Sequence, residues 1–323
     1  MSDDPKWLQW RREGITATDV ADAAQGTYGG LYGVVARKLG LVVVEHNAAM
    51  DRGHRWEAPI ADGVHALTGW FVVGEQTWCE NFEDPRWRAT VDGFLSDTPE
   101  LAHDEVESVL EVKTIGVGVR RNVPRWTDQM QWQMLASGAK RGLLAVARID
   151  DTTDELKSLS VDWVEADEVR QEFLISVAER LWSHVSSGTL PEPDEATSLD
   201  DVKQVHSTSD GSPVVDLAGL SDDVDRLAAL KANIKLAELD AKTIEARIRD
   251  AIGSATRGDS EFWTVHVSAP RNVLTREAEA QLIADRPDLV VPALDKAAAK
   301  ADGTYDRYLA PVGARVLTLK EKQ

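Results

Sequence analysis

Within VDGFLSDTPELAHDEVESVLEVKT, residues 91–114, an aspartate beside a glycine is followed, one hairpin later, by a glutamate, a valine and a lysine in a row. Side chains alternate along a strand, so Glu111 and Lys113 share one face while Leu110 and Val112 share the other, the ordinary core face. Taken alone, an E-x-K tripeptide is most often a solvated ion pair and a weak signal. A hairpin joining 88–96 to 107–115 changes its meaning, because it brings Asp92 alongside Glu111. Two facing carboxylates repel one another unless a cation lies between them. Mg²⁺ suits such a pair, since it takes oxygen ligands, keeps several waters and needs only one or two protein carboxylates; Mn²⁺ is the expected substitute. The main-chain carbonyl of Val112 is a further candidate ligand. Lys113 beside the cation could orient an attacking water and offset charge developing on a phosphate.

Composition narrows the alternatives. The single cysteine, Cys79, excludes an internal disulfide and any cluster of thiolates, and seven scattered histidines lack zincin spacing. Any metal is therefore expected on carboxylates. The net charge of −19 argues against gripping nucleic acid through the overall field, so DNA contacts must be local. The acidity sits early: 20 Lys+Arg stand against 37 Asp+Glu up to residue 210, and 16 against 18 after it. No apolar run approaches the roughly 18 residues of a membrane span. The opening MSDDPKWLQW lacks the basic start and apolar stretch of a signal peptide, so a cytoplasmic location is expected.

The elements that must position these residues form one domain over 1–185, since ten of the eleven tryptophans lie at or before Trp182. Strand-like runs cover 70–79, 86–96, 106–115 and 141–149, with helical patterns at about 56–68, 126–137 and 165–186. Residues 7–24 read as a helical turn, a break at Gly14 and a second helix after Thr16 or Thr18. The fold class is α/β (α+β), a mixed central sheet with helices on both faces. Residues 186–213 read as a linker or surface strap. From 214 to 323 follows an appendage led by a long helix. Its Leu227, Leu230, Ile234, Ala237, Ala241, Ile244, Ile248 and Ala251 repeat every seven residues, and Leu236 and Leu239 widen the stripe. An alternating strand at 262–268 and a short helix near 275–286 complete it.

The order D-G, hairpin, L-E-V-K resembles the PD-(D/E)xK nuclease core, and the surrounding chain resembles the YqaJ and lambda-exonuclease family of phage recombination exonucleases. WLQWRREGITATDVADA (7–23) is similar to the family's opening, RGHRWEAPIA (52–61) to its G-x-x-x-E-x-x-A helix, RATVDGF (88–94) to its S/T-x-D-G strand, and PRWTDQMQWQML (124–135) to its Y-x-x-Q-x-Q helix. Five ordered motifs are far more specific than any one. Val91 stands where relatives often have proline and Trp126 where tyrosine is common; neither change removes a ligand.

By this resemblance Asp92 and Glu111 are metal ligands, Lys113 is the catalytic lysine, Glu57 is a helix-borne carboxylate beside the metals, and Gln129 orients the substrate or the lysine. Arg11 with Thr16 and Thr18 matches a phosphate-binding opening, where a hydroxyl and N–H groups at a helix start hold an anion. Arg12 could stand in for Arg11. The resemblance further implies a 5′-to-3′ exonuclease on double-stranded ends, a single-strand annealing partner, and a homo-oligomer, commonly a trimeric ring. An endonuclease on the same core and a non-catalytic DNA-end or partner-binding module are the alternatives. Read without the resemblance, Glu57 could be a helix-start carboxylate favoured by the dipole. Gln129, Gln131 and Gln133 could be the polar half of an amphipathic helix, and Trp126, Trp132 and Trp182 read as core residues rather than base-stacking platforms. Arg120, Arg121 and Arg125 read as a basic, phosphate-tracking loop.

Overall fold

The computed structural model describes residues 4–44, 47–99, 108–207, 216–268 and 271–291, with shorter pieces at 293–294, 300, 305, 309–312 and 317–321. The chain divides into two compact units, Met1–Ser212 and Pro213–Gln323. The first opens with α1 (Pro5–Arg12), whose N-cap Asp4 accepts a hydrogen bond from the Lys6 N–H and whose proline stands where no intrahelical partner is needed. A two-residue strand, β1 (Ile15–Thr16), leads into α2 (Ala17–Gln25), started by a reciprocal capping box between Thr16 and Asp19. After α3 (Gly30–Lys38) and α4 (Ala48–Thr68) come strands β2 (Phe71–Val73), β3 (Thr77–Glu80), β4 (Trp87–Val91), β5 (Gly93–Ser96) and β6 (Ser108–Gly116). Then α5 (Val123–Ser137), β7 (Arg141–Ile149), β8 (Leu156–Glu165), α6 (Glu168–Ser187) and α7 (Leu199–Val205) complete the unit.

The central sheet has the order β2-β5-β6-β7-β8, with β6 and β7 parallel and the other pairs antiparallel. One face is closed by α4, whose Ile60 and Val64 pack with Leu95, Leu110, Leu143 and Ala145. The other is closed by α5, whose Trp126 and Met130 meet Ile115, Leu144 and Val146. Trp132 is completely buried in a larger cluster that includes Val20 of α2, Val34 of α3 and Leu181 of α6. The structure is thus the expected mixed sheet between helices.

Two expected strands prove to be broken. The run 86–96 parts at Asp92: β4 belongs to a second small sheet, β1-β4-β3, and β5 to the central one. Its neighbour 70–79 parts at the same level, around Gly74 and Gln76, so β2 and β3 also lie in different sheets. Both strands of the pair turn a corner together. Gly93 permits it, since a Cβ there would stand 2.7 Å from Val72 Cγ1. Alternation cannot reveal such a break, because the side-chain period continues across it.

Other departures are additions. Helix α4 starts at Ala48, where Asn47 caps two N–H groups, and runs through Pro59. Helix α3 escapes periodicity because all but its last two residues are buried, which erases the polar face that marks an amphipathic helix. Within 186–213, Leu190, Val202 and Val205 pack against Tyr32, Ala36 and Val42 of the first unit; residues 208–213 of that segment and 100–107 of the expected hairpin lie outside the described residues.

In the second unit α8 (Ser221–Ile252) carries the seven-residue stripe on one continuous helix. Strands β9 (Arg257–Asp259), β10 (Trp263–Val267) and β11 (Arg271–Leu274) precede α9 (Arg276–Asp285), followed by β12 (Val290–Val291), β13 (Ala293–Leu294), β14 (Leu309–Val312) and β15 (Leu317–Glu321). Val265, Val267, Leu282 and Leu289 are buried there. Among the described residues no helix is long and apolar enough to cross a membrane.

Candidate active site

Register brings the two halves of the opening motif together. Gly93 pairs with Leu110 and Phe94 with Val109, which sets Asp92 level with Glu111 at the corner. Asp92 Oδ2 accepts the Val112 N–H at 2.7 Å, so the carboxylate is anchored to the main chain of β6. Across the sheet corner, Gln76 reaches Asp92 Oδ1 at 3.2 Å and Glu57 Oε2 at 3.4 Å. Glu57 sits well inside α4, not at its start, and His54 one turn earlier lies 3.3 Å from its other oxygen.

The E-x-K pair is not a solvated one. Glu111 is only 2% exposed and forms a short ion pair with Lys113. Its oxygens also accept hydrogen bonds from Gln129 at 2.7 Å and Gln133 at 2.5 Å, while Gln129 Oε1 receives the Lys113 ammonium at 3.1 Å. A buried carboxylate is tolerable only when paired and hydrogen-bonded, and here three donors from α5 and β6 satisfy it. The face carrying Glu111 and Lys113 is as covered as the Val112 face, because helices lie on both sides of the sheet. Burial, reinforced by the charge of Glu111 and opposed by Lys113 and the Val112 N–H, pushes Asp92 up to about 8.

A cavity of about 310 Å³ gathers Arg11, Thr18, Glu57, Asp92, Glu111, Val112, Lys113 and Gln129, joined by Trp7, His54, Gln76, Thr90 and Thr114. Arg11 lies over the Trp7 ring, 4.6 Å from its centroid, and donates to Thr16 Oγ1 at 3.3 Å. Thr16 itself is buried in the α2 capping box, whereas Thr18 lines the cavity. Behind them Lys38 forms an ion pair with Asp19 at 2.7 Å and donates to the carbonyls of Arg11 and Gly14, tying α3 to the start of α2. Burial works against the Asp19 charge, but Lys38 and Arg11 hold its carboxyl below the usual range.

The remaining predicted cations lie elsewhere. Arg12 is exposed and outside the cavity lining. Arg120 is exposed on the loop after β6. Arg121 pairs with Asp162 and Ser160 on β8. Arg125 is on α5 rather than a loop; its guanidinium pairs with Asp22 at 2.6 Å and stacks 5.0 Å from the Tyr28 ring centroid. Gln131 and Gln133 are both buried, so neither is the polar half of a helix: Gln131 binds the chain around Glu165 and Asp167, and Gln133 binds Glu111. With α2 and α6 on its outer side, α5 has no solvent face along this stretch.

One stretch of the chain matches a family model. Residues 6–140 match the YqaJ-like viral recombinase domain. The resemblance read from the motifs therefore holds for this segment, which contains every element contributing to the cavity. Among solved structures, an alkaline exonuclease from Laribacter hongkongensis is similar at 20% identity, covering 57% of this chain and 94% of that one, with a TM-score of 0.43. The same enzyme in complex with dAMP gives a TM-score of 0.44 at equal identity and coverage. A phage-related exonuclease from Haemophilus somnus 129PT is similar at 11% identity, over 54% of this chain and 96% of that one, with a TM-score of 0.41. No curated protein matches the chain.

Whether this cavity suits a divalent cation is tested by its donor set. Among the described residues no three of His, Cys, Asp and Glu converge as they stand into a metal-holding cluster. Asp92 and Glu57 nonetheless share one neutral donor, and a second cavity of about 20 Å³ lies against both, lined also by Glu75, Gln76 and Val112. Hard carboxylate oxygens beside a water-sized space fit an ion that keeps much of its hydration and takes one or two protein carboxylates. Glu111, already saturated by three donors, must yield one of them to become a ligand. Sequence reasoning missed Gln76, Gln133 and Lys38. None belongs to a chemical motif, and only folding shows what they touch.

Proposed function

We propose that the chain is a Mg²⁺-dependent deoxyribonuclease, acting as a 5′-to-3′ exonuclease on duplex ends and leaving 3′ single-stranded tails. The observation that carries this reading is the convergence of Asp92, Glu57 and the buried Glu111–Lys113 pair on one cavity that also presents Arg11 and Thr18. Asp92 and Glu57, with Glu111 and the Val112 carbonyl, would hold the cation, which when bound supplies an activated water and neutralises charge on the phosphate. Lys113, fixed by Gln129 and Glu111, holds an ammonium at the cavity wall where charge develops on a phosphoryl oxygen. Arg11, lying over Trp7 beside the start of α2, offers a guanidinium fork to a terminal phosphate, and the hydroxyl of Thr18 faces the same cavity.

A local phosphate cradle of this kind allows an acidic chain to bind DNA without a basic face. The acidic surface also makes a topological hold on the substrate advantageous. The polarity, the annealing partner and a ring-shaped oligomer are proposed on the resemblance to the family rather than on any distance in the site. The experiment is a time course of a linear duplex labelled separately at each end, with Mg²⁺ and with chelator, beside a closed circle. The reading requires metal-dependent release from the 5′ label and an intact circle; nicking of the circle would make the protein an endonuclease. Light scattering of a species that degrades long duplexes without dissociating tests the ring, and a monomer would remove it.

A further inference from the structure

Gln76 has a backbone that asks for explanation. Its φ is 54°, in the left-handed region that few residues other than glycine, asparagine and aspartate adopt. The corner between β2 and β3 could have been turned by glycine, as Gly74 two residues earlier does with φ 59°. A long amide in that position needs a use for its side chain, since the strain costs about 1 kcal/mol or more.

The use is visible in its contacts. The Gln76 N–H points at the Asp92 carbonyl, 3.4 Å away, and its side-chain amide spans Asp92 Oδ1 and Glu57 Oε2. Glu57 comes from α4 and Asp92 from the corner between β4 and β5. The other donor to Asp92, the Val112 N–H, takes Oδ2, and the other group near Glu57, His54, faces Oε1. One amide thus addresses the remaining oxygen of each carboxylate. Lys113 is held by Glu111 and Gln129. Being neutral, the amide ties the two carboxyl groups together without bringing a charge of its own into the site. Gln76 also lines both cavities.

The geometry points to Gln76 as a positioning residue that sets the separation and orientation of Glu57 and Asp92 for a divalent cation. This rests on the proposed metal site at the same carboxylates. Hydrogen-bonding partners of metal ligands typically govern affinity by about 10- to 100-fold. Gln76→Gly keeps the backbone conformation, relieves its strain and removes only the amide, so the fold is retained. Mn²⁺ affinity is measured by equilibrium titration with electron paramagnetic resonance, without DNA, for the full chain, Q76G and D92N. The expected result is Mn²⁺ binding by the full chain, loss in D92N, and affinity about tenfold weaker in Q76G, whose melting temperature in chelator is no lower than the parent's. A merely structural role would lower the melting temperature in chelator and leave the affinity alone. Wild-type affinity in Q76G together with loss in D92N overturns the role of Gln76 and leaves the metal site standing. No Mn²⁺ binding by the full chain, or undiminished binding by D92N, overturns both.

Discussion

Gln133 donates its side-chain amide to Glu111 Oε2 at 2.5 Å, and both residues are buried, at 0% and 2% exposure. The same amide nitrogen reaches the Thr90 carbonyl on β4 at 3.2 Å. A single side chain of α5 therefore ties the buried carboxylate of the central sheet to the smaller sheet.

Replacing Gln133 by leucine keeps the volume and removes the donor. Glu111 then loses a hydrogen bond in a place water does not reach, which costs about 1–3 kcal/mol. The expected outcome is a lower urea midpoint with an unchanged slope, together with weaker Mg²⁺-dependent nucleotide release. An unchanged midpoint would show that the hydrogen bond contributes nothing.

Lys113→Met removes the ammonium at the cavity wall while keeping the length of the side chain. Loss of a preorganised positive group at a developing charge lowers turnover by about 10²–10³-fold. Single-turnover nucleotide release at saturating Mg²⁺ measures this directly. Glu111 loses its ion-pair partner too, so a lower urea midpoint is expected, while circular dichroism in water stays native because Gln129 and Gln133 still donate to Glu111.

In chelator, native Asp92 keeps its proton until about pH 8, whereas an unfolded aspartate releases its own near pH 4. Between those values the folded state binds the extra proton, so stability is greatest at the acid end and declines as pH rises toward 8. Asp92→Asn cannot titrate, and its melting temperature should lack this part of the decline. Parallel pH curves for the two proteins would refute the shift.

Lys38→Met breaks an ion pair whose side chains are 6% and 14% exposed. Leaving Asp19 without its closest cation is expected to cost about 3–5 kcal/mol. The Arg11 and Gly14 carbonyls lose their donor as well, so the approach to α2 loosens. Equilibrium unfolding measures the first effect. The second should appear as weakened binding of a duplex end carrying a 5′ phosphate, with less change for an unphosphorylated end.

Much of the site is legible in residue order. Alternation alone sets Glu111 and Lys113 on one face, and a hairpin register carries Asp92 to Glu111 because strand pairing obeys a period of two. The capping signals at Thr16 and the tryptophan distribution likewise report local chemistry and composition. Gln129 is recognisable from its place in an ordered motif.

What the order of residues leaves open depends on contacts between distant segments. Alternation continues across the corner at Asp92, so only the paired strands show that 86–96 and 70–79 each serve two sheets. The polarity of Gln131 and Gln133 suggests a solvent face until α2, α6 and the sheet surround α5. Arg125 has the charge of a phosphate ligand, yet Asp22, 103 positions away, takes it. The sequence by itself determined which groups can carry the chemistry, because charge, alternation and capping are local properties. The tertiary structure decided which of them meet, because buried charges accept only partners that remote elements bring within hydrogen-bonding distance.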